Sequence, residues 1–412
     1  MNKSAWFGDH EFQIHFPSEW KVSVNDNKSA EANVLNDNEI TSAFMNPIGS
    51  QTIKKLAEGK SEAVIIFDDL SRPTPVKQIV PFVLRELKEG GIDEDHIRFV
   101  AALGAHGFMT RHGFAEKLGE DILTRFEIFN HNAFQHLDRL GETSRNTPVF
   151  INQEVMSCDL KIGIGSINPH RLATFGGGAK IIMPGVSGIE TIYSHHGLLV
   201  GLANKKINPT MGFGLNRVNT NEARADIEEV ARIAQLDIKI DALVNPHREM
   251  VGLYVGDFVA EHRKGCELAA HLYETPLTTE CDIVVANSYP VDDEAMKVTS
   301  VINGSLKEGG DVVLITNSPE GQMSLRHYIS CRFGRNYDKC LYSNGDIYPK
   351  AKRLFILSDY PSRNDSDEFG PREKVISTKS WDEILKELTN TYGSNAKVAV
   401  YPHCLEYPKN SS

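Results

Sequence analysis

The segment that most restricts how this chain can fold is SEAVIIFDDLSRPTPVKQIVPFVLRELKEGG, residues 61–91. Ala63 to Phe67 form an unbroken apolar run, which predicts a strand buried on both faces of a parallel sheet. Thr74-Pro75 predicts the start of a helix, and Gly90-Gly91 predicts its end. A strand followed by a helix in this way is the repeating unit of an α/β fold, because parallel neighbours need a crossover connection.

The same alternation of strand and helix patterns continues along the chain. Further strands are predicted at 97–103, 125–130, 148–152 and 160–165, and four more at 281–286, 311–316, 353–358 and 397–401. Amphipathic helices are predicted between many of these strands. The fold class that follows is α/β, with two domains that are each built on a mostly parallel sheet with flanking helices.

The domain boundary is predicted near Pro276, where the composition of the chain shifts. We assign residues 1–275 to an N-terminal α/β domain that carries the cofactor and the catalytic residues. Residues 276–402 are assigned to a C-terminal Rossmann-like domain that contributes to the substrate pocket, and the tail 403–412 is expected to pack on the first domain. Because small-molecule sites favour clefts between domains, the active site is expected in the cleft between them.

Composition excludes several classes of function. The net charge of -11 argues against a nucleic-acid partner, since nucleic acid is held mainly by basic surfaces. The sequence contains no run of eighteen or more apolar residues, so no membrane span is predicted. The first residues lack the apolar core of a secretory signal. The six cysteines are scattered without a CxxC pair, which indicates reduced, buried thiols and a cytoplasmic protein.

Polar side chains follow the first two predicted strands at their carboxyl ends. Asp69 and Arg72 follow the strand at 63–67, and His106 follows the strand at 97–103. In open α/β sheets this edge is where ligands bind, so His106 is a candidate acid or base. An equally good interpretation of Asp69 and Arg72 is that they pair with each other across the loop.

A second group of candidate residues lies between Cys158 and His196. Gly176, Gly177 and Gly178 would let a bulky or phosphorylated group approach the backbone, and Lys180 could neutralise a phosphate or act as a nucleophile. The alternative is a glycine turn for tight packing beside a solvated lysine.

A capping box at 187–190 predicts a helix that ends near His196, where the helix dipole would favour a cation. One histidine is too few for a metal site, so the other donors would have to come from a cofactor.

Four spaced motifs give this chain its resemblance to a known family. They are DDLSRPTP (68–75), LGAH (103–106), PHRLATFGGGAKIIMPG (169–185) and SHH (194–196). In this order and spacing the chain resembles the nickel-pincer nucleotide-dependent lactate racemases, a family of 2-hydroxy acid racemases and epimerases, over most of its length. A dinucleotide site is the less favoured alternative, because GIGSIN at 163–168 has Asn168 in place of the third glycine of the fingerprint.

The resemblance implies a cofactor and a role for each motif residue. The cofactor is nickel held by a nucleotide of the pyridinium-3-thioamide-5-thiocarboxylate type, which the family binds covalently through the lysine matched by Lys180. His196 would complete the nickel coordination, and the glycine loop would admit the phosphate-bearing body of the nucleotide.

The remaining motif residues would serve the substrate, a small 2-hydroxy acid. His106 and His170 would be the two acid/bases on opposite sides of its α-carbon, while hydride passes to the cofactor and returns to the other face. Arg72 would grip the substrate carboxylate, and Asp69 would be an orienting neighbour beside the cofactor. Proteins of cofactor biosynthesis are implied as partners in maturation.

Two departures from the family pattern affect the substrate pocket. After SYPVD this chain has Met296, Lys297 and Ser300 in place of tyrosine-glutamine and a following lysine, and Gly107-Phe108 replaces arginine-proline. Lys297 and Ser300 are therefore predicted to contact a substrate other than lactate, such as malate or an aldonate. A non-catalytic relative that binds the cofactor or a hydroxy acid is the main alternative from another class.

Overall fold

The protein divides into two compact units. The computed structural model describes residues 1–170, 173–204, 215–322, 346–363 and 365–408. One unit is Glu31–Leu272, and the other joins Met1–Ala30 to Tyr273–Ser412. In the described part of the chain each unit contains a six-stranded, mostly parallel sheet with flanking helices, which confirms the predicted α/β fold class.

The sheet of the first unit holds the motif-bearing strands. Its strand order is Met250–Gly256, Ile238–Val244, Leu160–Ser166, Ala63–Asp68, Ile97–Ala102 and Glu127–Asn130. All neighbours run parallel except the hairpin of the first two strands. Every residue from Ala63 to Phe67 is fully buried, as an apolar run covered on both faces requires.

The helices of this unit surround the sheet. Their bounds are Asp37–Met45, Ile53–Ala57, Val76–Glu89, Arg111–Leu118, Glu120–Arg125, Gln153–Met156, Ile189–Asn204, Leu215–Val218, Glu222–Ile233 and Ala260–Leu272. Short strands at Leu137–Glu142 and Pro148–Asn152 form a hairpin, and Pro169–His170 pairs with Thr174–Phe175. Thr110 caps its helix by accepting a hydrogen bond from the Gly113 amide.

The sheet of the second unit is wholly parallel in the described residues. Its strand order is Val375–Thr378, Ala351–Leu357, Leu306–Ile315, Cys281–Asn287, Lys397–Tyr401 and Lys21–Val24. Its helical segments are Lys28–Glu31, which begins before the boundary between the units, then Asp292–Val298, Thr299–Ser305, Asp365–Phe369 and Trp381–Tyr392. The short strands Asn2–Lys3 and His10–Glu11 pair with each other.

The termini depart from the predicted domain assignment. Residues 1–30 belong to the second unit, because the strand Lys21–Val24 pairs with Lys397–Tyr401 and Trp20 is buried in the core beside that sheet. The tail also stays in this unit, since Tyr407–Pro408 pairs in parallel with Glu274–Thr275. Glu274 and Thr275 lie within the predicted first domain, 1–275, so this pairing does not overturn the predicted packing of the tail, which stays a prediction.

Two further expectations concern the cysteines and the membrane. Four cysteines are free and buried, as predicted, at positions 158, 266, 281 and 404. Cys331 and Cys340 lie outside the described residues. Across the described part of the chain, none of the helices has the length and apolar character needed to span a membrane.

Candidate active site

Asp69 and His106 meet at the carboxyl edge of the first sheet. Asp69 follows the strand Ala63–Asp68, and His106 follows the parallel neighbour Ile97–Ala102, in a register that pairs Asp68 with Ala102. The His106 Nδ1 atom lies 2.6 Å from Asp69 Oδ2. The carboxylate therefore accepts a hydrogen bond from the Nδ1-H group, and in the neutral ring the Nε2 atom carries the lone pair of a base.

Asp69 is held as an anion by its surroundings. Burial alone would raise its pKa, but the charge and hydrogen bond of His106, the charge of Arg72 and the hydrogen bond of Ser71 together lower the pKa of Asp69 to about 2. The Ser71 amide donates to Asp69 Oδ1 at 3.0 Å, and the Ser71 hydroxyl donates to the same oxygen. Asp69 can therefore fix the orientation of the His106 ring at any pH above about 4.

Arg72 is held by the same loop. Its Nη1 atom donates to the carbonyl and to the hydroxyl of Ser71, each at 2.9 Å. The side chain is partly buried. These contacts restrain one side of the guanidinium plane and orient the Arg72 fork from the loop that also holds His106.

His170 has the opposite tautomer to His106. It ends the short strand Pro169–His170, and its Nδ1 atom accepts the amide hydrogen of Ala173 at 3.1 Å. Because Nδ1 is an acceptor, the proton of the neutral ring lies on Nε2. With both rings neutral, His106 therefore presents a hydrogen-bond acceptor at Nε2, and His170 presents a hydrogen-bond donor at Nε2.

Three of the predicted residues line one pocket in the first unit. The pocket is lined by His170, Lys180 and His196, with Ala173, Met183, Pro184, His195, Ala223 and Ile227. Lys180 lies in the 3₁₀ turn Gly178–Ile181, directly after the glycine loop. The structure thus brings together a candidate acid/base, a candidate nucleophile and a candidate metal ligand.

The loop of His106 adjoins this pocket through Pro184. The Gly104 amide donates to the carbonyl of Gly185 at 2.8 Å. Gly104 has a φ of +56°, and a Cβ atom placed there would lie 3.3 Å from the Pro184 Cβ atom. Glycine at 104 therefore allows the two loops to approach closely, which sets the backbone of His106 beside the wall that Pro184 forms.

His196 has the geometry of a metal-ligating histidine. Its Nδ1 atom donates to the Ile192 carbonyl at 2.8 Å, which leaves the Nε2 lone pair for a ligand. Burial, followed by the positive charge that His195 can carry, lowers the pKa of His196 to about 3, so the ring is neutral at pH 7. Among the described residues no group of three or more His, Cys, Asp or Glu side chains is placed to hold a metal.

The helix that carries His196 is longer than predicted. It spans Ile189–Asn204, so His196 lies in its middle and the predicted effect of the helix C-terminus is wrong. The Ser187 hydroxyl donates to the Ile182 carbonyl at 2.8 Å. The adjacent His195 is buried, with its Nδ1 atom 2.8 Å from Asp226 Oδ2.

The glycine loop agrees better with the packing alternative than with an anion cradle. The Gly176 amide donates to the Asn168 carbonyl at 2.7 Å, and the Gly178 amide donates to the buried Asp241 carboxylate. A Cβ atom at Gly177 would lie 2.7 Å from Asp241 Oδ2. The amides of Gly176 and Gly178 thus have partners inside the protein, and the loop anchors the turn of Lys180.

Lys297 and Ser300 lie in the second unit. Lys297 belongs to the 3₁₀ segment Asp292–Val298, and its Nζ atom lies 2.9 Å from Glu294 Oε2. Ser300 is partly buried in the helix Thr299–Ser305. Their predicted contact with the substrate, and the predicted cleft between the domains, stay predictions.

Several polar residues that support the site were not predicted. Lys117 is fully buried beneath the loop of Asp69, and Arg224 donates to the carbonyls of Phe175 and Gly177. Asp226 holds His195. Lys117 follows the buried Gly113 by four residues and precedes the buried Leu118, so the helical period places it on the buried face of its helix. That position was the available sequence signal for a buried lysine.

Comparisons with known proteins show that the chain is similar to lactate racemases. Residues 7–208 match the lactate racemase N-terminal domain. The lactate racemase of Lactiplantibacillus plantarum is 30% identical over 297 residues, which cover 70% of this chain and 68% of that protein. The lactate racemase of Thermoanaerobacterium thermosaccharolyticum is 26% identical over 300 residues, 71% of this chain and 68% of that protein.

Two solved structures share the fold. The lactate racemase apoprotein of Thermoanaerobacterium thermosaccharolyticum has a TM-score of 0.73 and 20% identity, with all of both chains covered. A crystal structure of a Thermotoga maritima protein has a TM-score of 0.63 and 18% identity, covering 87% of this chain and 97% of that one. At these identities the structural matches establish the α/β architecture.

Proposed function

The chain belongs to the lactate racemase family and is an isomerase, and we propose that it inverts the α-carbon of a 2-hydroxy acid by using a nickel-pincer nucleotide tethered to Lys180. The observation that supports this most strongly is the single pocket lined by His170, Lys180 and His196. A covalent tether, a metal ligand and an acid/base are the three protein groups that such chemistry needs at one place.

The residues of the pocket fit the proposed cofactor. His196 is a neutral histidine whose Nδ1 proton is committed to a backbone carbonyl, so its Nε2 atom is available for nickel. A side-chain amine at Lys180 can form a covalent bond to the nucleotide. When bound, the nickel-pincer nucleotide supplies the site that takes the α-hydrogen with its electron pair and returns it.

The protein supplies placement and proton transfer. His106 Nε2 takes the hydroxyl proton as the α-hydrogen leaves with its electron pair, and the product of this step is a 2-keto acid. When hydrogen returns to the opposite face, the carbonyl oxygen takes a proton from Nε2 of His170 in its imidazolium form, in which Nδ1 no longer accepts from the Ala173 amide; the ring becomes neutral and the other enantiomer is formed.

Substrate binding is proposed for the loop of Asp69. The guanidinium of Arg72 holds the substrate carboxylate through paired N-H donors, and Ser71 orients the guanidinium. Asp69 holds the His106 ring and stabilises its positive charge after proton uptake. The loop of Asp69 thereby orients both Arg72 and His106. The two side chains can then bind the carboxylate and the hydroxyl of one substrate molecule.

The substrate is proposed to be a 2-hydroxy acid other than lactate, such as malate or an aldonate. The acid/base and tether positions match the family motifs, whereas Met296, Lys297, Ser300 and Gly107-Phe108 differ from them. Phe108 is highly exposed and follows His106 by two residues. A change confined to such positions alters substrate selection and leaves the reaction class intact.

The test is to produce the protein together with the cofactor-biosynthesis enzymes and to measure intact mass, nickel content and racemisation of a broad panel of 2-hydroxy acids. We expect a covalent mass increase, about one nickel per chain when fully loaded, and faster turnover of another acid than of lactate. His170→Ala should retain nickel and lose turnover. An unmodified, nickel-free protein would overturn the proposal, and faster turnover of lactate would overturn the substrate assignment.

A further inference from the structure

We propose that the buried Lys117 is a positioning residue that fixes the loop of Asp69 and Arg72, and with it the ring of His106. This inference rests on the proposed function of these three residues. Lys117 lies on the helix Arg111–Leu118, has no exposed surface and touches the loop from beneath. It does not itself line the pocket among His170, Lys180 and His196.

Three oxygen atoms surround the Lys117 ammonium group. The Nζ atom lies 2.8 Å from the Asp68 Oδ1 atom, the Asp69 carbonyl and the Arg72 carbonyl. The two carbonyls accept hydrogen bonds from Nζ, and the contact with Asp68 Oδ1 is an ion pair. Two of the three oxygens are backbone carbonyls. They belong to Asp69, whose side chain holds His106, and to Arg72, whose side chain would bind the substrate carboxylate.

The Asp68 carboxylate extends these contacts toward the loop of His170. Its Oδ2 atom accepts from the Thr74 hydroxyl, and the Thr74 and Ser166 hydroxyl oxygens lie 2.7 Å apart. The side-chain amide of Asn168 donates to Ser166 Oγ, also at 2.7 Å. Because each hydroxyl has one proton, the donors run in a single direction from Asn168 through Ser166 and Thr74 to Asp68.

This chain of hydrogen bonds spans the two loops that carry the proposed acid/bases. Asn168 precedes His170 by two residues, and its backbone carbonyl also receives the Gly176 amide. Asp68 precedes Asp69, which holds His106. Thr74, Ser166 and Asn168 are all buried, so water does not compete freely for these bonds. The chain of donors ends at the Asp68 carboxylate, and Lys117 is the cation that contacts this carboxylate.

The geometry of the site distinguishes lysine from arginine. Three acceptors around one nitrogen suit the compact ammonium group, whereas a guanidinium spreads its donors in a plane. Lys117→Arg keeps the charge and cannot reproduce the three contacts. The paired variant Lys117→Met with Asp68→Asn removes both charges, and it avoids leaving an uncompensated carboxylate in the interior.

Two measurements test the positioning role in folded variants. The first is the NMR signal of the His106 Nδ1 proton in the cofactor-free protein, which reports its hydrogen bond to Asp69. The second is the separate measurement of kcat and KM in the loaded enzyme. In both variants we expect the Nδ1 signal to weaken or disappear, kcat to fall on the order of 100-fold and KM to rise. The mass increase at Lys180 should remain.

The matched control is Lys161→Met. Lys161 is a buried lysine in the strand Leu160–Ser166, and its Nζ atom donates to the Cys158 carbonyl at 2.9 Å, at the amino end of the same sheet. This variant should keep the His106 signal, kcat and KM. If the control moved all three as the Lys117 variants do, a general loss of packing would explain the effect and the positioning role would be rejected.

The outcomes separate this inference from the proposed function. A folded Lys117→Arg or paired variant that keeps the His106 signal and has kcat and KM within about twofold of the wild type would overturn the role of Lys117. If the paired variant does not fold, Lys117→Arg alone decides by the same criteria. A wild-type protein that racemises no hydroxy acid would refute the proposed function, while the NMR measurement would still test the contact.

Discussion

Replacing Asp69 with asparagine removes one charge from the proposed proton-transfer pair. The pKa of Asp69 is about 2 compared with 3.8 for an unperturbed aspartate, because His106, Arg72 and Ser71 outweigh the cost of burial. The difference corresponds to roughly 2 kcal/mol of net attraction between the Asp69 anion and its neighbours. Asparagine retains a carbonyl oxygen for the Nδ1 hydrogen bond but does not retain this attraction.

The expected effect on turnover follows from the charge that His106 gains. When His106 takes the hydroxyl proton, its ring becomes positive and the Asp69 anion stabilises it across 2.6 Å. If the whole of this attraction were lost, kcat would fall about 30-fold. This figure is an order of magnitude, because burial opposes the attraction of His106 in the same pKa and Arg72 and Ser71 also contribute to it.

The assay measures initial rates of racemisation with the cofactor-loaded enzyme and its best substrate. Nickel content and intact mass are measured on the same samples, so that the loss is attributed to proton transfer. Asp159→Asn is the matched control, because the pKa of Asp159 is lowered chiefly by the backbone amides of Ser61 and Glu62, at the opposite end of the strands. Its kcat should be unchanged.

The same substitution has a predicted signature in acid stability. Since the folded-state pKa of Asp69 is lowered, its contribution to stability is present above pH 4 and is lost as the pH falls from about 4 to about 2. Asp69→Asn should therefore be less stable than the wild type at pH 6, and the difference should shrink toward pH 2. A variant with unchanged kcat and a stability difference independent of pH would refute the reasoning.

Three other substitutions have distinct expected outcomes. Arg72→Lys keeps the charge but loses the paired donors, so KM should rise about tenfold or more, measured from saturation curves; an unchanged KM would contradict carboxylate binding there. Lys180→Ala should lack the covalent mass increase seen in the loaded wild type, and an identical increase would rule out Lys180 as the tether. Burial raises the pKa of Glu261, so its ionisation costs stability as the pH rises above about 4.5. Glu261→Gln should then melt at a higher temperature than the wild type at pH 8, by about 2–4 °C per kcal/mol gained, with a smaller difference at pH 4; an equal difference at both values would contradict it.

The parallel core was predictable because its strands are continuous apolar runs. The segment at 63–67 can be buried on both faces only in a covered parallel sheet, and its carboxyl end places Asp69 near His106 without knowledge of any distance. Sequence order and the geometry of parallel strands therefore account for this part of the site.

The role of the glycine loop could not be predicted from the sequence. Three glycines permit either an anion cradle or close packing, and the choice depends on which atoms lie above them. Those atoms belong to Asp241 and His262, more than sixty residues further along the chain. Such a contact depends on tertiary packing and leaves no local pattern. The end of the helix at His196 was missed for a different reason, since Gly197 can end a helix or lie within one.

The strand Lys21–Val24 was also beyond sequence reasoning. Three of its four residues are exposed, so it has no apolar run that identifies its place, and its partner begins at Lys397. Propensity alone cannot select one partner among many edge positions at such a separation.

That pairing sets an order for folding on the ribosome. The unit Glu31–Leu272 can fold once its own residues have emerged, whereas residues 1–30 must wait for Lys397–Tyr401, which is made after that unit. A separately expressed fragment that starts at residue 276 would leave the backbone groups along one side of Lys397–Tyr401 unpaired, and an exposed strand edge of this kind recruits other chains. Adding back a peptide of residues 1–30 should reduce its aggregation.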